Sequence, residues 1–435
     1  MKLARTVGTL PLVFILFFTT SGGAYTTETL VHDAGPGLAI LILVLVPVFY
    51  SLPEILIVGE LASMLPEEGG YYRWVQRAFG PFWAFQNGWL TWMYSLVDMA
   101  IYPKLFVTYL AWFAPGLGRG ALWAIGLAMV WAGTALNLRG SGRVGRSAVV
   151  MGTAILAGFL LVALLALPQW SHAPWHPFAT VRGSGVHGLG VGLSIALWNY
   201  IGWDNASTVQ GEVTDATRTY PRALAIALPL VTAGYLVPLG AALAATDWRT
   251  WTEGGWPEVA RTIGGATAGP VLGSWIAIGG MLSAVALFNC LLLAYSRIPF
   301  VMAADGLLPP ALARTDARGT PRTAVLVSAA CYSVVMLLPF SELVVADVLL
   351  YSLALVMELA SLVHLRRREP ALRGAFRVPA GTHGVAMLAA LPAAILLLVV
   401  ALSVGDGEYG LPALVGTAAM IGAGPLVYRW RRAVR

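Results

Sequence analysis

Charged residues are scarce in this sequence. Only 11% of the 435 residues are Asp, Glu, Lys or Arg, whereas 58% are hydrophobic. A soluble domain usually has about a quarter of its residues charged, because charge covers its water-facing surface. The composition therefore excludes an ordinary soluble protein and indicates a lipid bilayer as the solvent for most of the chain.

Cysteine is nearly absent, and nothing resembles a metal motif. Cys290 and Cys331 both lie in apolar runs without a CxxC partner, which predicts helix packing and not a disulfide or metal site. The net charge of +6 comes from short basic clusters between apolar runs, so it does not indicate nucleic-acid binding. We expect no cofactor, no metal and no nucleic-acid partner. No linker divides the chain, which predicts one domain over residues 1–435.

Long apolar runs predict an all-α, polytopic membrane protein, because only helices and closed barrels satisfy every backbone group within lipid. We expect about twelve transmembrane helices. Their predicted spans are 8–32, 37–64, 81–112, 119–136, 144–167, 187–212, 221–245, 270–295, 323–340, 343–364, 384–404 and 411–430.

The first 24 residues permit two interpretations. Lys2 and Arg5 precede an apolar stretch and small residues, which is the pattern of a cleaved export signal. Apolar helices continue through the rest of the chain, so no separate signal is needed for insertion. We therefore favour a retained first helix.

Arginine distribution predicts the orientation. With alternating spans, nearly all Lys and Arg residues fall on the side of the N-terminus, and few fall opposite: Arg119, Arg182, Arg249 and Arg261. Cytoplasmic loops carry the excess of positive charge. We expect a multi-pass protein of the cytoplasmic (inner) membrane with both termini in the cytoplasm, surrounded by lipid and monomeric or homodimeric.

Two predicted helices contain interruptions. Ser21, Gly22 and Gly23 fall near the middle of the first span, and the stretch 199–203 interrupts the sixth. Adjacent glycines can unwind a helix and free its amides and carbonyls. Paired breaks in corresponding helices of two halves are typical of a solute site in a transporter built of inverted repeats. The alternative is that the glycines only allow close helix packing.

Acidic residues inside a membrane are costly and usually functional. Asp98 lies midway along its span and is a candidate to bind an ammonium group or a proton, or to form a structural hydrogen bond. Glu28 is either an acidic wall of a site or a solvated carboxylate, and Asp204 either contacts solute or caps a helix. Glu60 and Glu212 are expected to pair with arginines at the cytoplasmic mouth, while Glu54 lies deeper.

Several short stretches of the sequence form motifs: Ser21–Gly23, Ser51–Glu54, Gly59–Leu61, Pro66–Tyr71, Phe79–Trp83, Gln86–Trp89, Asp98–Pro103, Trp198–Asp204, Gly211–Val213 and Ser296–Pro309. These motifs resemble those of the amino acid–polyamine–organocation permeases. The resemblance covers residues 10–310 best and favours the polyamine-uptake and L-type-like branch.

This resemblance implies a LeuT-type fold of five plus five inverted helices, at residues 8–167 and 187–364, with two peripheral helices at 384–430. It implies a secondary permease for amino acids or polyamines that works by alternating access, commonly coupled to protons. The Ser21–Gly23 backbone would hold substrate, the Asn199–Gly202 break would supply carbonyls, and Trp198 and Tyr200 would be aromatic gates. Trp203 is a candidate to stack on a cation.

One departure leaves the coupling open. Some proton-coupled relatives place a lysine in the fifth helix, but residues 144–167 contain only Arg146 as an ionisable group. Acids at positions 28, 98 and 204 favour a cationic solute, whereas the Ser-Gly-Gly break favours a carboxylate. The alternative functions are a permease-like nutrient sensor and a membrane-embedded enzyme, although no catalytic constellation is present in the sequence.

Overall fold

The computed structural model describes residues 5–180, 186–336, 340–405 and 411–433. This part of the chain is helical and forms no β-sheet; its one isolated bridge pairs Val7 with Val213. The all-α class expected from the apolar runs is confirmed.

The first half of the bundle ends with a long helix after residue 140. Its helices are α1 (Thr9–Thr20), α2 (Thr27–Ala34), α3 (Pro36–Val46), α4 (Leu52–Met64), α5 (Tyr71–Phe79), α6 (Pro81–Asp98), α7 (Ile101–Leu110), α8 (Arg119–Asn137) and α9 (Ser141–Ala166). A π-helical turn, Pro47–Ser51, joins α3 to α4, where prolines remove backbone donors.

The second half begins with another interrupted helix. Its helices are α10 (Val186–Trp198), a 3₁₀ segment (Asn205–Glu212), α11 (Ala216–Ala245), α12 (Trp256–Tyr295), α13 (Arg297–Ala304), α14 (Arg322–Val335), α15 (Phe340–Arg368), α16 (Thr382–Gly405) and α17 (Leu411–Ala433).

Helices of this chain are long and apolar enough for a bilayer. Judged by length and composition, seven helical stretches of the described residues qualify as membrane spans: Pro36–Met64, Arg119–Asn137, Ser141–Gln169, Ala216–Ala245, Trp256–Ala304, Leu349–Arg368 and Thr382–Leu402. The helices α1 and α14 are apolar but shorter. Large apolar side chains such as Val150, Val271 and Met387 are about 70% exposed, as expected where lipid covers the protein.

Each predicted span coincides with helix, but some boundaries were wrong. The eighth predicted span, 270–295, lies in a longer helical stretch, Trp256–Tyr295, whose two helical parts meet at a kink at Gly265. The inner half of helix six is a 3₁₀ segment and not an α-helix. The short helix α5 was not predicted, because it has only nine residues and carries Arg73 and Arg77 on its polar face, so it is no long apolar run. Residues 337–339, at the end of the ninth predicted span, lie outside the described residues.

The first helix lies at the centre of the bundle. Every residue of α1 from Leu12 to Thr20 is buried. This helix packs against α9, α11 and α12. The interpretation as a retained helix agrees with this position, since removing α1 as an export signal would take away the centre of the hydrophobic core.

Candidate functional site

Helix one is broken between α1 and α2. The chain leaves α1 at Ser21 in an extended conformation, and Gly23 has a φ of +92°. Two carbonyls freed by the break are hydrogen-bonded by α12: the Ser283 hydroxyl donates to Gly22 O at 2.6 Å, and the Trp256 indole donates to Ala24 O at 2.7 Å. The unwound segment is therefore held in place by side chains, as buried backbone groups require.

Helix six is broken opposite this point. The helix α10 ends at Trp198, and the 3₁₀ segment begins at Asn205. The Thr26 hydroxyl donates to Asn199 Oδ1 at 3.1 Å, and the Tyr235 hydroxyl donates to Asn199 O at 2.9 Å. Both expected interruptions are confirmed, and the two unwound segments touch.

Both breaks line one largely buried cavity between the helices. Its free interior is about 40 Å³, which is room for a few water molecules. Aspartates and tyrosines supply most of its titratable lining: Asp98, Asp347, Tyr25, Tyr94, Tyr102, Tyr295 and Tyr351. No Lys, Arg or His belongs to the lining that the structure describes. The cavity is therefore acidic and aromatic, which suits a cation.

Asp98 is the last residue of α6, at the irregular turn that separates α6 from α7 within the third predicted span. Its side chain is buried, with 6% of its surface exposed. The Tyr102 hydroxyl donates to one of its oxygens at 2.6 Å, and the Tyr295 hydroxyl donates to the other at 2.9 Å. Asp347, on α15, is 2% exposed, and its Oδ1 has no hydrogen-bond partner. Two buried carboxyl groups thus share one cavity, and one of them is incompletely satisfied.

The structure brings together only part of the site predicted from the sequence. The predicted residues that line the cavity are Ser21, Gly22, Asp98, Trp198 and Asn199. The predicted residues outside its lining are Gly23, Glu28, Tyr200, Gly202, Trp203 and Asp204.

The residues outside the lining have other neighbours. Gly23 faces the apolar side chains of Ile155 and Phe159 on α9. Tyr200 donates its hydroxyl to Leu43 O at 3.1 Å and is fully buried, so it does not gate the cavity in this conformation. The side chains of Trp203 and Asp204 are buried as well.

Glu28 is not a solvated carboxylate. Its side chain is 1% exposed, and the backbone of Gly254 and Gly255 lies next to its carboxylate. The sequence could not show this burial, because it results from the loop at Gly254 and Gly255 that covers α2.

Asp347 and the tyrosines were missed as site residues. Asp347 carried a usable signal, since it is an acid within the predicted span 343–364 and the rule that selected Asp98 applies to it equally. The tyrosines carried none, because tyrosine is common in membrane helices and their convergence depends on packing between distant helices.

Two glutamates outside the cavity, Glu212 and Glu60, pair with arginines, as expected. Arg297 donates to Glu212 at 2.6 Å, and Arg366 donates to Glu60 at 2.7 Å. These buried carboxylates are neutralised within the protein, unlike those of the cavity.

Comparison with known proteins agrees with this architecture. The sequence matches the family described as "Amino acid permease" over residues 8–421. The chain belongs to this family. The permease is 37% identical over 407 residues to Polyamine transporter PUT1 of Oryza sativa subsp. japonica, covering 92% of this chain and 74% of the relative.

Two further relatives are a polyamine transporter and an amino acid permease. The permease is 36% identical over 400 residues to Polyamine transporter RMV1 of Arabidopsis thaliana, covering 91% of this chain and 80% of the relative. It is 26% identical over 327 residues to Branched-chain amino acid permease BcaP of Lactococcus lactis, covering 67% and 66% of the two chains. The permease is thus a multi-pass membrane transporter and not an enzyme.

Proposed function

We propose that this permease carries polyamines across the cytoplasmic membrane by alternating access, coupled to protons. The observation that supports the substrate is the cavity: two buried aspartates and five tyrosines line it, and its described lining contains no cationic side chain. A di- or polyammonium chain would neutralise the two carboxylates, and its methylene groups would pack against the aromatic rings.

An amino acid is the competing substrate, and the helix breaks favour it in part. An α-carboxylate could bind free amides at the start of a helix. At the break, however, side chains already occupy the space beside Gly22. A Cβ built on Gly22 would lie only 2.5 Å from the Ser283 hydroxyl and 2.9 Å from Leu287. With the carboxyl groups of Asp98 and Asp347 in the same cavity, the negative charge of a substrate carboxylate would be repelled. We therefore favour the amine-rich substrate.

Alternating access is supported by the enclosure of the cavity. Its lining is mostly buried, and the free interior of about 40 Å³ is smaller than a polyamine needs. Loading and release therefore require the two broken helices to move. The proposal includes the orientation expected from the arginines, with both termini in the cytoplasm.

The test compares substrates on matched variants of the purified permease in proteoliposomes. Asp98→Asn and Asp347→Asn each remove one negative charge from the cavity. We expect each to weaken putrescine binding and uptake about 10- to 100-fold, since a buried charge-assisted hydrogen bond contributes about 1.5–3 kcal/mol. A transported neutral amino acid should lose much less. Asp247→Asn, in an exposed loop, is the control and should stay within about twofold of wild type.

Two results would contradict the proposal. Equal losses for putrescine and a neutral amino acid would remove the aspartates as amine ligands. Absence of any flux for a broad panel of amines and amino acids would favour the sensor alternative.

A further inference from the structure

Three more carboxyl groups lie next to the cavity without lining it. Glu54 belongs to α4, Asp204 follows the break in helix six, and Glu358 belongs to α15. They are 0%, 1% and 1% exposed. Asp204 and Glu358 are close enough to interact directly. We call these three residues the carboxyl triad.

Tyr351 connects the triad to the cavity. Its ring lines the cavity. Its hydroxyl oxygen lies 3.1 Å from Asp204 Oδ1 and 3.4 Å from Glu54 Oε1, and it accepts a hydrogen bond from Gly202 N at 3.0 Å. A tyrosine hydroxyl has a single proton to donate, so it cannot fully satisfy two carboxylates at once. Tyr351 must favour one of them.

No cation neutralises the triad within the described part of the chain. The other titratable groups that face it are tyrosines: Tyr50, Tyr71, Tyr94, Tyr220 and Tyr351. Arg366, on the same helix as Glu358, is bound to Glu60. Three ionised carboxylates in a water-poor interior would repel one another and lose their hydration. The electrostatics therefore require that positive charge enter the triad.

Buried polar atoms of the triad lack partners, which is an observation independent of its charge. Glu54 Oε2 and Glu358 Oε2 have no hydrogen-bond partner. The hydroxyl of Tyr50, which is fully buried and faces Glu54, has none either. An ionised carboxylate only accepts hydrogen bonds, whereas a protonated one also donates, so a proton on Glu54 would let it donate to the Tyr50 hydroxyl oxygen that faces it.

We propose that the carboxyl triad is the proton-binding site of the transport cycle and that Tyr351 couples it to the substrate cavity. This inference rests on the proposed proton-coupled transport of polyamines. One proton binds to a carboxylate from one side of the membrane and leaves the neutral carboxyl group on the other. No covalent bond other than this O–H bond forms or breaks.

The coupling follows from the position of Asp204. When Asp204 is protonated it no longer attracts the Tyr351 proton, so the hydroxyl turns to another acceptor. Tyr351 also holds Gly202 N in the break of helix six, so its reorientation alters the segment that must move. A substrate ammonium beside the Tyr351 ring acts on the same hydroxyl from the cavity side. Proton and substrate occupancy therefore influence each other through one side chain.

The experiment separates exchange from accumulation in proteoliposomes. Exchange of labelled for unlabelled putrescine at equal pH needs no net proton movement, whereas accumulation driven by a pH gradient does. Glu54→Gln and Glu358→Gln keep the size of each side chain and remove its titration. We expect both variants to exchange within about twofold of wild type and to lose at least tenfold in pH-driven accumulation. Glu67→Gln, in an exposed loop, is the matched control and should retain both activities.

Tyr351→Phe tests the connection itself. It should also lose pH-driven accumulation at least tenfold. Tyr109→Phe removes a buried hydroxyl that lies outside the triad and has no hydrogen-bond partner, and this variant should accumulate putrescine like wild type.

Unchanged pH-driven accumulation in both glutamine variants would overturn the inference. So would loss of exchange together with accumulation in folded variants, because the triad would then serve binding or structure. If the glutamine variants fail to fold, Tyr351→Phe decides: unchanged pH-driven accumulation would overturn the inference, whereas lost accumulation with exchange retained supports it. Accumulation of putrescine by wild type under a sodium gradient at equal pH would also overturn it, because the coupling ion would then not be the proton. Wild type that exchanges no putrescine would instead refute the proposed function.

Discussion

Arg297 is fully buried, which a free guanidinium group could not tolerate. Its Nε and Nη2 donate to Glu212 Oε1 at 2.9 and 2.6 Å, and its Nε lies 3.6 Å from Glu68 Oε1. Glu68, in the loop before α5, has no hydrogen-bond partner for either oxygen. Arg297 therefore neutralises one glutamate well and the other poorly.

Glu68 is expected to make the stability of the folded protein depend on pH. Burial raises the pKa of Glu68 well above its usual range, Glu212 raises it further, and Arg297 offsets this in part. A carboxyl group with a higher pKa in the folded state binds protons preferentially there. The folded state therefore gains stability as the pH falls and loses it as the pH rises above the ordinary range of glutamate.

Glu68→Gln should remove the loss of folded-state stability that accompanies a rise in pH. We expect the variant to have a higher Tm than wild type at about pH 8, with the difference shrinking towards about pH 5. Thermal unfolding in detergent across this range is the measurement. Glu67→Gln, at the exposed neighbouring position, should follow the wild-type curve. A variant less stable than wild type at pH 8 would show that ionised Glu68 stabilises Arg297.

At the scale of elements, the break in helix six depends on Gly202. Its φ is +100°, a conformation that side chains disfavour. A Cβ at this position would collide with the Thr19 carbonyl oxygen and lie 2.8 Å from Asn205 Nδ2. The glycine therefore permits both the unwound conformation and the approach of helix one.

Gly202→Ala should reduce transport at least tenfold and lower stability by about 1–3 kcal/mol, the usual range for backbone strain of this kind. Gly240→Ala is the control, because its Cβ would meet no atom within 4 Å and it lies inside α11. This control should transport normally, with stability unchanged or slightly raised, since alanine favours helix. Uptake and Tm of both variants give the comparison. Normal transport by Gly202→Ala would show that the break does not need this geometry.

The breaks were predictable because their cause is local. Gly22, Gly23 and Gly202 interrupt apolar runs, and a glycine inside a helix is visible in the sequence. The 3₁₀ form of residues 205–212 was not predictable, since tertiary hydrogen bonds such as Thr208 to Ala294 O accompany it. The partners of Asp98 were hidden for the same reason: Tyr295 lies 197 positions away along the chain.

At the scale of the whole molecule, the proposed orientation in the membrane rests on the arginine distribution. Exposed arginines occur at both ends, for example Arg249 after α11 and Arg318 before α14. The proposed orientation places Arg249 outside the cell and Arg318 in the cytoplasm.

Cysteine labelling tests this orientation. In a background with Cys290→Ala and Cys331→Ala, we expect Arg249→Cys to react with a membrane-impermeant maleimide in intact cells. Arg318→Cys should react only after the membrane is opened. The opposite pattern would reverse the proposed topology, and reaction of both in intact cells would contradict the number of membrane crossings between them.

The isolated bridge at Val7 has a mechanical consequence. Thr6 N and Val7 N donate to Glu212 O at 2.9 and 3.1 Å, and Thr214 N donates to Val7 O at 2.9 Å. These bonds use only the main chain, so side-chain substitutions there do not remove them. They connect the residues that precede α1 to the residues at the end of the 3₁₀ segment Asn205–Glu212. The two interrupted helices are thereby hydrogen-bonded to each other at one end, so the proposed alternating access would displace these two ends together.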